Sequence, residues 1–267
     1  MFEVEYERPG ERTGELHVPS SFSLLVNGRN VDSYYSNDYL RIETVNVDGR
    51  LTNAYDISTE TPAKFDGSMI MSKRMKAKTI DVELLIDVKD ESVFKNFLNE
   101  FNLRLKNTNY ITFKDEQEFT YYVEFEEASV VQQASAYRMN LSFLWHNPVK
   151  YKQEQVIEYT NAQRLSIDSK VPVEPRIRLV FETGVKQWSM RNTTTDMNVN
   201  YKHDIVSDRY QIDVARQLVT KSVDEVNAMD GLNFSSDLEE FLIKDGDQIV
   251  VTPTPKSIQI RYRGVVL

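Results

Sequence analysis

The chain has 267 residues, 40% of them apolar and 27% charged, with no cysteine, three histidines and a net charge of −9. That length suits two domains of ordinary size, and the composition excludes general disorder, collagen-like repeats, a disulfide framework, a thiolate metal site and a cysteine nucleophile. Up to position 150 there are 17 basic and 24 acidic residues (net −7), and beyond it 15 and 17 (net −2), so neither half has the basic excess that holding nucleic-acid phosphates requires.

Residues 1–20 read as an extended arm, broken by Pro9, Gly10, Gly14 and Pro19, with no apolar stretch of the kind a secretion signal needs. Leu40, Ile42 and Thr44 open a series of segments in which every second residue is apolar or β-branched. The stretch 47–64 is polar and long for a loop, which marks it as functional or disordered. Ile80, Val82, Leu84, Ile86 and Val88 form the cleanest alternation, with Asp81, Glu83 and Asp87 on the other face. One helix is expected over about 91–106: Asp90 caps it, Val93, Phe94, Phe97, Leu98, Phe101 and Leu105 make its apolar stripe, and Arg104 and Lys106 suit its C-terminal dipole. Alternation returns at Phe119, Tyr121, Val123 and Phe125, and again from Tyr137 through Met139, Leu141 and Phe143 to Trp145.

Pro148 ends that strand, and the polar, aperiodic stretch 146–155 marks a domain boundary. Beyond it the strand pattern recurs at Ile177 to Phe181, Met197 to Tyr201, Tyr210 to Val214 and Ile258 to Tyr262, with a short second helix expected over 236–242. Five of the nine glycines follow Asn or Asp (Asn27-Gly28, Asp48-Gly49, Asp66-Gly67, Asp230-Gly231, Asp245-Gly246), the chemistry of tight hairpin turns. One wet and one apolar face per strand specifies antiparallel sheets. The fold class is therefore mainly β: two antiparallel β-sandwich domains, at 21–150 and 151–267, the first carrying one packed α-helix. No apolar run exceeds five residues, so no membrane span is expected.

Chemistry is hard to find. His17, His146 and His203 lack metal-ligand spacing, and neither a glycine-rich phosphate loop nor a nucleophile elbow is present. Glu124, Glu126 and Glu127 are the best carboxylate cluster for a glycosidase, and they read more simply as a solvated sheet face. Asp245-Gly246-Asp247 has too few ligands for a calcium loop and reads as a turn. No catalytic, metal or cofactor-binding residue is expected. The aromatics hold more promise: Tyr34, Tyr35 and Tyr39 cluster in a polar stretch and Trp188 has polar neighbours, as exposed contacts for a glycan or a protein would. A lectin-like adhesion module is thus one reading, and a β-sandwich glycosidase is a weaker one.

The order of elements adds a further signal. Phe22 to Gly28, then Leu40-Arg-Ile-Glu, then Asp66-Gly67 leading to Arg74 and on to Glu83, precede the helix; Tyr110-Ile-Thr-Phe-Lys-Asp, a Tyr-rich strand and Tyr137 to Pro148 follow it. This progression resembles the N-terminal domain of the siphophage distal tail protein family (Dit), with Asn147 where that family has an acidic residue. Val173-Glu-Pro175, Asp245-Gly-Asp-Gln-Ile249 and Ile258-Gln-Ile-Arg-Tyr262 resemble its second, galectin-like domain.

The resemblance implies a non-enzymatic virion protein of the tail tip, present in the host cytoplasm during assembly. Such a protein forms a homo-hexameric ring that joins the tail tube to a tail-associated lysin or fibre protein, docks receptor-binding proteins and lets DNA pass without binding it. Within that frame Met69, Met71, Arg74, Tyr121 and Tyr122 are the expected ring-interface residues. Asp48, Asp56, Glu60 and Asp66 are the expected acidic residues facing the lumen.

Overall fold

The computed structural model describes residues 20–267, apart from 62, 64, 65, 134, 135 and 161, and the arm expected at 1–20 therefore lies almost wholly outside the described residues. The chain divides into two compact units after Val149.

In the first unit β1 (Leu24–Val26) and β2 (Arg29–Asn30) form a hairpin closed by Asn27 and Gly28, both at positive φ (48° and 77°), the geometry that matches strand twist. Helix α1 (Val31–Tyr35) follows, capped by Asn30, which accepts from the Ser33 amide. Next come β3 (Leu40–Asp48), β4 (Tyr55–Glu60), β5 (Met69–Met75), β6 (Lys78–Val88), α2 (Glu91–Lys106), β7 (Tyr110–Phe113), β8 (Phe119–Tyr122), β9 (Glu124–Gln133) and β10 (Ala136–Trp145). Strands β3, β6, β10 and β9 lie side by side in that order, all antiparallel. A second ladder runs β2, β1, β7, β8.

Ile80, Val82, Leu84 and Ile86 of β6 face inward beside Met139, Leu141, Phe143 and Trp145 of β10. On the outer face Ser142 donates to Asp81 and Arg138 to Glu83. Asp90 caps α2 by accepting from the Ser92 amide, and Phe94, Phe97, Phe101 and Leu105 bury its inner stripe in the same core. The helix seals that core, as its three- and four-residue spacing predicts.

The second unit is one long antiparallel ladder. Its strands are β11 (Lys150–Tyr159), β12 (Arg176–Asn192), β13 (Asn198–Asp213), β14 (Leu218–Lys221), β15 (Val226–Asn227), β16 (Ile249–Thr252) and β17 (Ser257–Val266). The order is β11, β17, β12, β13, β14, β15. Strand β12 belongs to two ladders: residues 176–180 pair with β17, and residues 189–192 pair with β16. Register shifts between Val180 and Gln187 separate these two pairings along β12. Ile177, Leu179, Tyr210, Ile212, Ile258 and Ile260 bury one face of this sheet, while Trp188 stacks on Tyr201 with ring centroids 5.4 Å apart.

Four expectations change. The stretch 47–64 is not a loop, because it contains β4, whose six residues are all exposed and so leave no alternating pattern. The run from Phe119 to Phe125 is two strands, since the chain leaves one ladder at Val123 and joins another. Only a single 3-10 turn, Leu238–Glu240, forms where a helix was expected at 236–242. Asp230-Gly231 sits in another 3-10 turn rather than a hairpin.

Candidate assembly surface

Strands β4 and β5 form a two-stranded sheet of their own. Tyr55 pairs with Met75, Ile57 with Lys73, Thr59 with Ile70 and Glu60 with Met69. A bulge falls at Met71, because Ser58 pairs with Ser72 while Thr59 already pairs with Ile70. Both broad faces therefore carry apolar side chains: Tyr55, Ile57 and Ile70 on one, Met69 on the other. Ile57 is 53% exposed, Ile70 66% and Met71 60%, so neither face of the hairpin is covered among the described residues.

The base of the hairpin is held firmly. The Arg50 guanidinium donates to both carboxylate oxygens of Asp115 at 3.0 Å and lies 4.4 Å from the centre of the Phe113 ring. Lys78 donates to the Thr52 carbonyl at 2.7 Å and sits over Trp145, and the Lys76 amide donates to the Ala54 carbonyl. Bidentate pairing of this kind fixes direction as well as distance. The hairpin thus projects from an anchored stem, with Lys73 Nζ 4.4 Å from the centre of the Tyr55 ring.

The expected interface residues divide. Met69, Met71 and Arg74 lie on β5 and are exposed, Arg74 opposite Asp56. Tyr122 is partly exposed beside Tyr110. Tyr121 is a correction: its ring is fully buried between Phe113 and Trp145, and its hydroxyl donates to Glu116. Burial, reinforced by that carboxylate, holds its pKa well above the usual tyrosine range. Asp48, Asp56, Glu60 and Asp66 are all exposed, on or beside the hairpin.

The exposed-aromatic group also divides. Tyr34 and Tyr39 are about half exposed, with Arg29 over the Tyr34 ring at 4.2 Å. Tyr35 is buried against Phe97 and Phe101 and accepts from the Arg104 guanidinium, because α1 turns it inward. Trp188 is 1% exposed, its polar sequence neighbours belonging to the opposite face of β12. The four aromatics therefore do not make one binding platform.

Glu124, Glu126 and Glu127 stand exposed on the edge strand β9, without the desolvation an acid–base pair needs, and Glu124 meets His146 at 3.5 Å. Among the described residues no three His, Asp or Glu side chains group as metal ligands. Sequence reasoning missed Tyr55 and Ile57. Isolated apolar residues in a polar stretch carry no period, and only the pairing with β5 shows that they gather.

Residues 27–145 match the family of the phage tail protein RIFT-related domain. The first unit, with its projecting hairpin, thus matches the model of a phage tail domain. Across 92% of the chain the fold matches that of the Dit protein (gp 19.1) of phage SPP1, described as a paradigm of the hub adsorption apparatus of phages infecting Gram-positive hosts, with a TM-score of 0.76, 20% identity and 99% of that protein covered. A chain of the activated phage P2 baseplate with Ca matches 84% of this one at a TM-score of 0.51 and 8% identity, with 90% of its own length covered. The chain has the fold of a siphophage distal tail protein. No curated protein matches it in sequence.

Proposed function

We propose that this chain is a non-enzymatic hub subunit of a phage tail tip, and that six copies close into a ring joining the tail tube to the tail-associated lysin or fibre protein, with a dock for receptor-binding proteins. The observation that carries this reading is the β4–β5 hairpin. Two strands with no buried face are at best marginal in water, and an anchored, apolar, strand-edged projection suits addition to the sheet of a second copy. Met69, Met71, Arg74 and Tyr122 join Tyr55, Ile57 and Ile70 in that contact, with adaptable thioethers at the bulge. Asp48, Asp56, Glu60 and Asp66 face the lumen, where like charge keeps passing DNA from binding.

Light scattering after gel filtration, followed by negative-stain imaging, tests the proposal. A ring of six supports it, and an Ile57→Asp/Ile70→Asp variant should then elute as a folded monomer. A wild-type chain that stays monomeric at high micromolar concentration and binds sugars on a glycan array would refute it in favour of the lectin reading.

A further inference from the structure

The outer face of the second unit carries a basic site in an acidic protein. Arg176 and Arg178 on β12, Arg209 on β13 and Arg261 on β17 converge around a concavity of about 180 Å³. The ladder places Arg176 directly opposite Arg261, and Arg178 and Arg209 lie on the diagonal set by the Arg178–Gln211 and Val180–Arg209 pairs. Like charges directly opposite on a sheet face cost stability. Little within the chain relieves them. Arg176 donates to Asp213, and Glu225, a carboxylate at the rim, accepts from Gln211. Arg178, Arg209 and Arg261 have no carboxylate within 4.0 Å among the described residues, and the Arg209 Nε is buried with no hydrogen-bond partner.

We propose that this concavity docks a short acidic peptide segment of a partner protein. Forked guanidinium groups match planar carboxylates, and the site is smaller than the roughly 300–1,000 Å³ typical of organic-ligand pockets. The four arginines, set against Glu225 and the Asp213 that pairs with Arg176, leave +2 locally, against −9 for the chain. On the neighbouring strand β11, Glu154 and Glu158 pair with Arg263 and Gln259, so an acidic border lies beside the basic floor. The border bounds the basic floor, so it suits a short anionic segment rather than a continuous polyanion such as nucleic acid, which needs a longer basic track. Val223, exposed at the rim, offers an apolar contact between the charges.

The site lies on the second unit and the hairpin on the first, so the full chain is assayed directly and the hairpin variant should bind equally well. The probe is a fluorescein-labelled Glu-Val-Glu-Glu-Val-Glu peptide in anisotropy titrations, beside inorganic phosphate and a labelled oligothymidylate. Saturable peptide binding that weakens at least about fivefold between roughly 50 and 200 mM salt, and at least about tenfold in Arg178→Glu and in Arg209→Glu, supports the proposal. Arg261→Gln should weaken binding while raising Tm by about 1–3 °C, because it removes a repulsion. Absence of saturable binding, equal or tighter binding of the oligonucleotide, undiminished binding by both charge-reversal variants, or a Tm that falls together with binding in Arg261→Gln would overturn it.

Discussion

Asp32 has no exposed surface, yet it sits two residues into a helix of five. Its carboxylate accepts from the Thr44 amide at 3.1 Å and from the Thr44 hydroxyl at 2.6 Å, and that hydroxyl in turn accepts from the Leu24 amide. One side chain thereby ties α1, β3 and β1 together. Removing it leaves buried donors without acceptors, which costs far more than the net value of a hydrogen bond. Asp32→Ala should lose about 2–3 kcal/mol in urea denaturation, well above the loss expected for an exposed carboxylate such as Asp38. The buried tyrosines make a second prediction at this scale. Burial raises the Tyr35, Tyr121, Tyr159 and Tyr210 hydroxyls above their ordinary value and pushes Tyr201 up to about 12. A group raised in the folded state contributes its stability below the unfolded value near 10 and loses it as pH climbs through the folded value. Tm should therefore fall steeply between about pH 10 and 12, with tyrosine ionisation by absorbance rising alongside unfolding.

Elements were legible in the sequence in proportion to how much of one face they bury. Strand β6 and helix α2 each bury a continuous stripe, so period two and period 3.6 both stand out. Helix α1 is too short for a period to show, and its burial depends on contacts with β3 and α2 that lie far along the chain. The alternation around Val123 continues across a change of ladder because side chains alternate whichever partner strand is present. Strand β4 buries nothing, and its neighbours resemble any polar loop. The same fact makes it the candidate assembly element, so the least legible segment is the one on which the proposed assembly rests. Its approach is fixed by Gly49, at φ +87°, where a Cβ would come within 2.2 Å of the Thr79 carbonyl oxygen. Backbone cannot yield as a flexible side-chain tip does, so Gly49→Ala should cost more than about 2 kcal/mol and disturb the stem that Arg50 and Lys78 hold. Amide exchange of β4 and β5, compared with that of β6, measures the disturbance.

At the scale of the whole molecule, salt separates the two proposed contacts. Copies of a chain with net charge −9 repel one another, and the excess is concentrated in the half that carries the hairpin. Docking of Tyr55, Ile57, Met69, Ile70 and Met71 is apolar and gains nothing from opposite charge. Screening therefore lowers the barrier between copies without weakening the contact that holds them. The arginine face on β12, β13 and β17 behaves in the opposite sense, since attraction to a carboxylate fades as ions screen it. Raising sodium chloride from about 50 to about 300 mM should shift sedimentation-velocity profiles toward the assembled species while loosening the acidic peptide. An assembly that dissociates on the same salt step would point to ion pairs between copies, with Arg74 and the acids around the hairpin carrying the contact in place of its apolar side chains.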